Sequence, residues 1–123
     1  MAEMDVALKD ALQVDGAIAV AIVDWTSGMA LGTAGGGFGF DVSVAAAANT
    51  EVLRAKLRTL EMLGMHEKVE DILVTLGSQY HLIRPVTSPD GRGLFVYLAL
   101  HRDRANLAMA RHRLRLIEQQ LEI

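Results

Sequence analysis

The sequence predicts an α+β fold in which helices flank one antiparallel sheet. Three observations predict it. Five runs of strand length are rich in apolar and β-branched residues, glycine-containing turns separate most of them, and helical periodicity is confined to three other segments. Tight turns join strands antiparallel, whereas parallel neighbours need long crossovers. At 123 residues the chain suits a single domain, 1–123, with one core.

In chain order, Met4, Leu8, Ala11 and Leu12 recur at helical spacing, so residues 3–13 form a short amphipathic helix that Asp15-Gly16 ends. "AIAVAIVDW" (17–25) is nearly all apolar, as a strand buried on both faces is. "TSG" (26–28) turns the chain into a second strand, "MALGT" (29–33). Asp41 stands at a helix N-cap, Val42 to Leu63 contains no breaker, and Gly64 supplies the stop. "VEDILVTL" (69–76) and "QYHLIRPV" (79–86) are strands around Gly77-Ser78, and "LFVYLALH" (94–101) follows the turn "SPDGRG" (88–93). A final helix over 105–122 carries Leu107, Ala110, Leu114, Ile117 and Leu121 on one stripe. The order is helix-strand-strand-helix-strand-strand-strand-helix, without repeats or linkers.

Composition narrows the function. Apolar residues make up 51 % and charged residues 22 %, the balance of an ordinary soluble protein. The acidic start "MAEMDVALKDAL" has no basic n-region, and the longest apolar run, Ala17 to Val23, is too short to span a bilayer. A cytoplasmic protein without membrane insertion is the expectation. There is no cysteine, so no disulfide or thiolate metal site. Residues 1–83 hold eleven acids against five bases, whereas 84–115 hold seven arginines against two aspartates. Nucleic-acid binding would pair such a basic segment with stacking aromatics, and the chain has only six aromatic residues.

The motifs that promise chemistry fail on inspection. "GTAGGGFGF" (32–40) has five glycines in nine positions. A phosphate-binding loop needs a lysine and a hydroxyl after its last glycine, and here Phe38 and Gly39 follow Gly37. The stretch reads as a loop into the long helix. "HEKVE" (66–70) lacks the second histidine of a zinc helix, and His81, His101 and His112 have no partner at ligand spacing. Asp24 at a strand end reads as a turn residue rather than a catalytic acid, and Arg92 as a solvated turn residue rather than an arginine finger. No catalytic residue, cofactor or metal is expected.

The long helix is the informative element. On a helical wheel Ala46, Leu53, Leu57 and Leu60 form one apolar stripe suited to the core. A second stripe of Ala48, Val52, Ala55, Thr59 and Met62 lies nearly opposite, and Glu51, Arg54, Arg58 and Glu61 form a charged strip between them. Either the terminal helix of the same chain covers the second stripe, or a second copy does across a two-fold axis.

Three stretches carry a likeness to a known family: "DGAIAVAIVDWTSGMALG" (15–32), "NTEVLRAKLRTLEMLGM" (49–65) and "LFVYLALHRDRANLAMARHRL" (94–114), the last passing through Asn106-Leu107. With the order of elements, they resemble the roadblock/dynein light chain family, bacterial type, over essentially the whole chain. The resemblance implies a profilin-like five-stranded antiparallel sheet in the order second, first, fifth, fourth, third. It implies a homodimer joined through the third strands, here through Ile72 and Val74, and through the second helical stripe. It also implies a non-catalytic regulator or scaffold of a small Ras-like GTPase bound across the paired helices, at Glu51, Arg54, Arg58 and Glu61. The alternative is a small-molecule sensor with a pocket between sheet and helix.

Overall fold

The computed structural model describes residues 3–37, 39–87 and 93–121. Phe38 of the glycine stretch and most of the turn after the fourth strand, Arg92 included, lie outside them. The elements are α1 (Met4–Leu12), β1 (Ala17–Asp24), β2 (Met29–Gly35), α2 (Val42–Met62), β3 (Ile72–Thr75), β4 (Gln79–Pro85), β5 (Leu94–His101) and α3 (Leu107–Gln120). The strands form one antiparallel sheet in the order β2-β1-β5-β4-β3, the order the resemblance implied. The two most continuous apolar runs, β1 and β5, lie side by side within it. Neither has a solvent face, which is why neither alternates.

Period-two alternation sends successive side chains of each strand to opposite faces. Val20, Ile22, Leu82, Val96, Leu98 and Leu100 face α1 and α3, whose Leu8, Ala11, Ala110 and Leu114 close that layer. Ala19, Ala21, Val23, Ile83, Phe95, Tyr97 and Ala99 face the other way, onto Val42, Ala46 and Leu53 of α2. Among the described residues one helix covers this second face.

Local chemistry sets the element ends. The Asp41 carboxylate accepts from Val44 N at 3.1 Å and opens α2, and Gly64 at φ +69° follows its end. Asn106 does the same for Met109 N at 3.1 Å, so α3 begins at Leu107 rather than at 105. β2 runs two residues beyond the expected strand, to Gly35, taking the first glycines of "GTAGGGFGF" into the sheet. Gly35 has φ +73°, and a Cβ there would lie 2.5 Å from Ile18 O, so no other residue ends the strand this way. A Cβ on Gly32 would lie 2.8 Å from Leu8 Cδ1, so its absence lets α1 pack close against β2.

β3 is four residues long, half the expected 69–76. Asp71 is drawn off the edge by a bidentate pair with Arg111 of α3, Nε–Oδ2 2.8 Å and Nη2–Oδ1 3.1 Å. At the other end Leu76 N donates to Gln79 O at 2.8 Å and closes the turn. A second cross-layer pair is buried: Arg84 Nε of β4 lies 3.4 Å from Glu118 Oε1 of α3, and Thr87 Oγ1 donates to the same carboxylate at 3.2 Å.

Candidate interaction face

α2 turns Val42, Ala46, Thr50 and Leu53 inward, all buried, and half-buries Leu57 and Leu60. Thr50, absent from the expected core stripe, donates its hydroxyl to Ala46 O at 3.0 Å and so enters the core satisfied. The opposite stripe, Ala48, Val52, Ala55, Thr59 and Met62, is exposed throughout, with Met62 at 80 %. α3 lies on the far side of the sheet, so it does not cover this stripe. Val44 at one end of the helix and Leu63 just past the other are each 64 % exposed, extending the open apolar surface.

Beside the stripe runs the outer edge of the sheet. Among the described residues β3 pairs with β4 on one side only. Register sets Ile72 opposite Ile83 and Val74 opposite His81, which puts both on the α2 side of the sheet, half-buried. A groove of about 450 Å³ separates helix from edge, lined by Val52, Ala55, Lys56, Thr59, Asp71 and Ile72. With Asp71 held by Arg111 and Glu70 outside the strand, Ile72–Thr75 itself carries no charge.

The charged strip divides. Arg54 donates from Nε to Trp25 O at 2.9 Å, from Nη2 to Thr26 O at 2.7 Å and from Nη1 to Glu51 Oε1 at 2.9 Å. It thus clamps the β1–β2 turn to the helix. Arg58 and Glu61 are exposed and make no ion pair among the described residues. In the same turn Asp24 Oδ1 accepts from the Thr26 hydroxyl and, at 2.9 Å, from its amide, and these bonds hold the Asp24 carboxyl below its usual range. The turn role read from the sequence accounts for this aspartate.

Sequence reasoning missed a polar cluster at the other end of α2. The Tyr97 hydroxyl and His81 Nδ1 are 3.3 Å apart, His81 Nε2 is 2.7 Å from Gln79 Oε1, and Phe40 sits edge-on to the imidazole at 6.2 Å. Burial holds His81 below its ordinary pKa and pushes Tyr97 up to about 12. Three segments meet here, and no local spacing announces it. The cluster walls a cavity of about 330 Å³. Another cavity, of about 460 Å³, opens near the C-terminal half of α2 among Trp25, Leu53, Leu57, Val69, Pro85 and Val86. Among the described residues no group of three or more His, Asp or Glu side chains could hold a metal ion, and no helix is long and apolar enough to cross a membrane.

No protein-family model matches the chain, and no curated protein does. Solved structures do. The Roadblock/LC7 domain from Streptomyces avermitilis superposes with a TM-score of 0.78 at 13 % identity, over 96 % of this chain and 93 % of that one. MglB of Myxococcus xanthus gives 0.74 at 17 % identity, over 93 % and 84 %. The gliding protein MglB from Thermus thermophilus gives 0.70 at 13 %, over 94 % and 88 %. At such identities the likeness is one of backbone, spanning nearly the whole of each chain, and on it, with the five-stranded order and the lone covering helix, this protein has the roadblock/LC7 fold.

Proposed function

We propose that the chain is a non-catalytic homodimeric scaffold or regulator of a small Ras-like GTPase. One observation carries the reading: α2 leaves a stripe of mostly small side chains uncovered beside a sheet edge that is unpaired and free of charge. Natural proteins blunt free edges with short strands, charge, proline or cover; β3 is short, but it carries neither charge nor proline, and the helix face beside it is open. A second copy supplies both needs by a two-fold axis, with Ile72 and Val74 at the strand contact and Ala48, Val52, Ala55, Thr59 and Met62 at the helix contact. Glu51, Arg54, Arg58 and Glu61 of the two copies then form a platform of mixed charge, which orients a partner and speeds encounter more than it adds affinity. Since Arg54 is engaged by backbone carbonyls, Arg58 and Glu61 are its free members. The likeness to MglB supports a regulator of this class.

Light scattering at micromolar concentration should give twice the monomer mass. Immobilised protein should retain a GTPase from lysate of the native host, identified by mass spectrometry and then tested purified. Arg58→Glu combined with Glu61→Lys should leave the dimer intact and weaken that binding at least tenfold, about 1.4 kcal/mol. A monomer, or unchanged GTPase affinity in the folded double variant, contradicts the reading.

The cavity near Trp25 favours a second reading, a small-molecule sensor, because it is lined mainly by apolar side chains and large enough for a ligand. Native mass spectrometry separates the two: a sensor carries a bound small molecule through purification.

A further inference from the structure

We propose that in the homodimer the partner's Met62 and Leu63 fill the cavity lined by Phe40, Val44, Ala45, Asn49, His81 and Tyr97. The inference rests on the dimer reading above and says how the ends of the two helices meet.

The stripe is its own complement. An axis level with residues 53–54, between helices running antiparallel, sets Val52 against the partner's Ala55 and Ala48 against the partner's Thr59. With a rise of about 1.5 Å per residue, Met62 then lies about 13 Å from the axis on one side and Ala45 about 13 Å on the other. The most exposed apolar side chain of the helix thus arrives level with the cavity mouth of the other copy. The antiparallel direction is what brings the end of one helix against the start of the other; a two-fold along the helices would set Met62 level with the partner's Met62 instead.

The wall of the cavity asks for an apolar occupant. His81 is flanked by Tyr97 and Gln79, Asn49 Nδ2 donates to Ala45 O at 2.7 Å, and Asp41 is engaged with Val44 N. These polar side chains each already hold a hydrogen bond within the chain, and the remaining side chains of the lining, Phe40, Val44 and Ala45, are apolar and suit an aliphatic side chain. Phe40 and Tyr97 stand edge-on to the imidazole, with ring centroids 6.2 and 5.5 Å away, and a thioether packs well at such aromatic edges.

The chain has no cysteine, so cross-linking starts from a clean background. In the double variant Ala45→Cys with Met62→Cys, the two thiols of one chain are about 25 Å apart along the helix. A bis-maleimide spanning about 8–10 Å, the spacing of packed helices, can then join only different chains. Near-complete covalent dimer is expected from the double variant and none from either single one. Ala55→Cys, close to the axis, reports the dimer itself. If Ala55→Cys cross-links and the double variant does not, the dimer stands and the proposal fails. If neither does, both fail. Met62→Asp should weaken dimerisation at least tenfold while Met29→Asp, on β2 and comparably exposed, leaves it unchanged. Equal dimer affinity of the two would also overturn the proposal.

Discussion

Replacing Glu118 with Gln tests how α3 is held to the sheet. Glu118 is 1 % exposed and Arg84 is 8 % exposed, so both charges sit in the layer between α3 and β4. Arg84 Nε has no hydrogen-bond acceptor among the described residues, so the attraction across 3.4 Å to Glu118 Oε1 is what compensates its burial there. Removing the carboxylate charge leaves a guanidinium in a low-dielectric layer with no counter-ion, a loss of about 3–5 kcal/mol. Unfolding entropy near 2.1 cal/mol/K per residue gives roughly 0.26 kcal/mol/K for a chain of this length, so the melting temperature should fall by about 12–19 °C. Calorimetry and urea denaturation measure both quantities, the second with an unchanged m-value. Arg84→Met together with Glu118→Leu should recover most of the loss, because an apolar pair of similar volume avoids the desolvation of both ions. A loss below about 1 kcal/mol for Glu118→Gln alone would refute the reasoning. It would mean that Arg84 reaches water.

Three further outcomes follow from the α2 face and its surroundings. Ala55→Glu should convert the dimer to monomer by light scattering, since a carboxylate buried unpaired at each side of the axis costs several kcal/mol, about 3–5, and the monomer should keep its circular dichroism because Ala55 is exposed in the protomer. Titration calorimetry with GTP or ATP and magnesium should show no binding, as residues 32–40 offer neither the lysine nor the hydroxyl such a site uses. Stability should fall at both ends of the pH range. Below 6.5 the unfolded chain takes up a proton that half-buried His81 resists, and above 10 it loses one that Tyr97, pushed up to about 12, retains. His81→Gln should flatten the acid limb and Tyr97→Phe the alkaline one in urea midpoints measured across pH.

What the sequence by itself determined is local. An apolar run without alternation marked β1 as a doubly buried strand, and Asp41 marked the start of α2, because a cap depends only on residues within one turn. Two opposed stripes on α2 were legible from helical period alone, and so was the mismatch between them and a single core. Whether the terminal helix covers the second stripe was not legible, because that depends on the face of the sheet to which α3 returns. Only the tertiary structure decided it, by placing α3 with α1 on the far side. The same holds for partners distant in sequence. Arg54 stands in a charged strip that reads as solvent-facing, yet its guanidinium reaches carbonyls 28 and 29 residues away. Arg84 and Glu118 become a buried pair, and β3 loses half its expected length, in part because Arg111 draws Asp71 aside. Periodicity records which side of an element is apolar. It carries no information about which distant charge, ring or carbonyl the packing of layers will set against the other side.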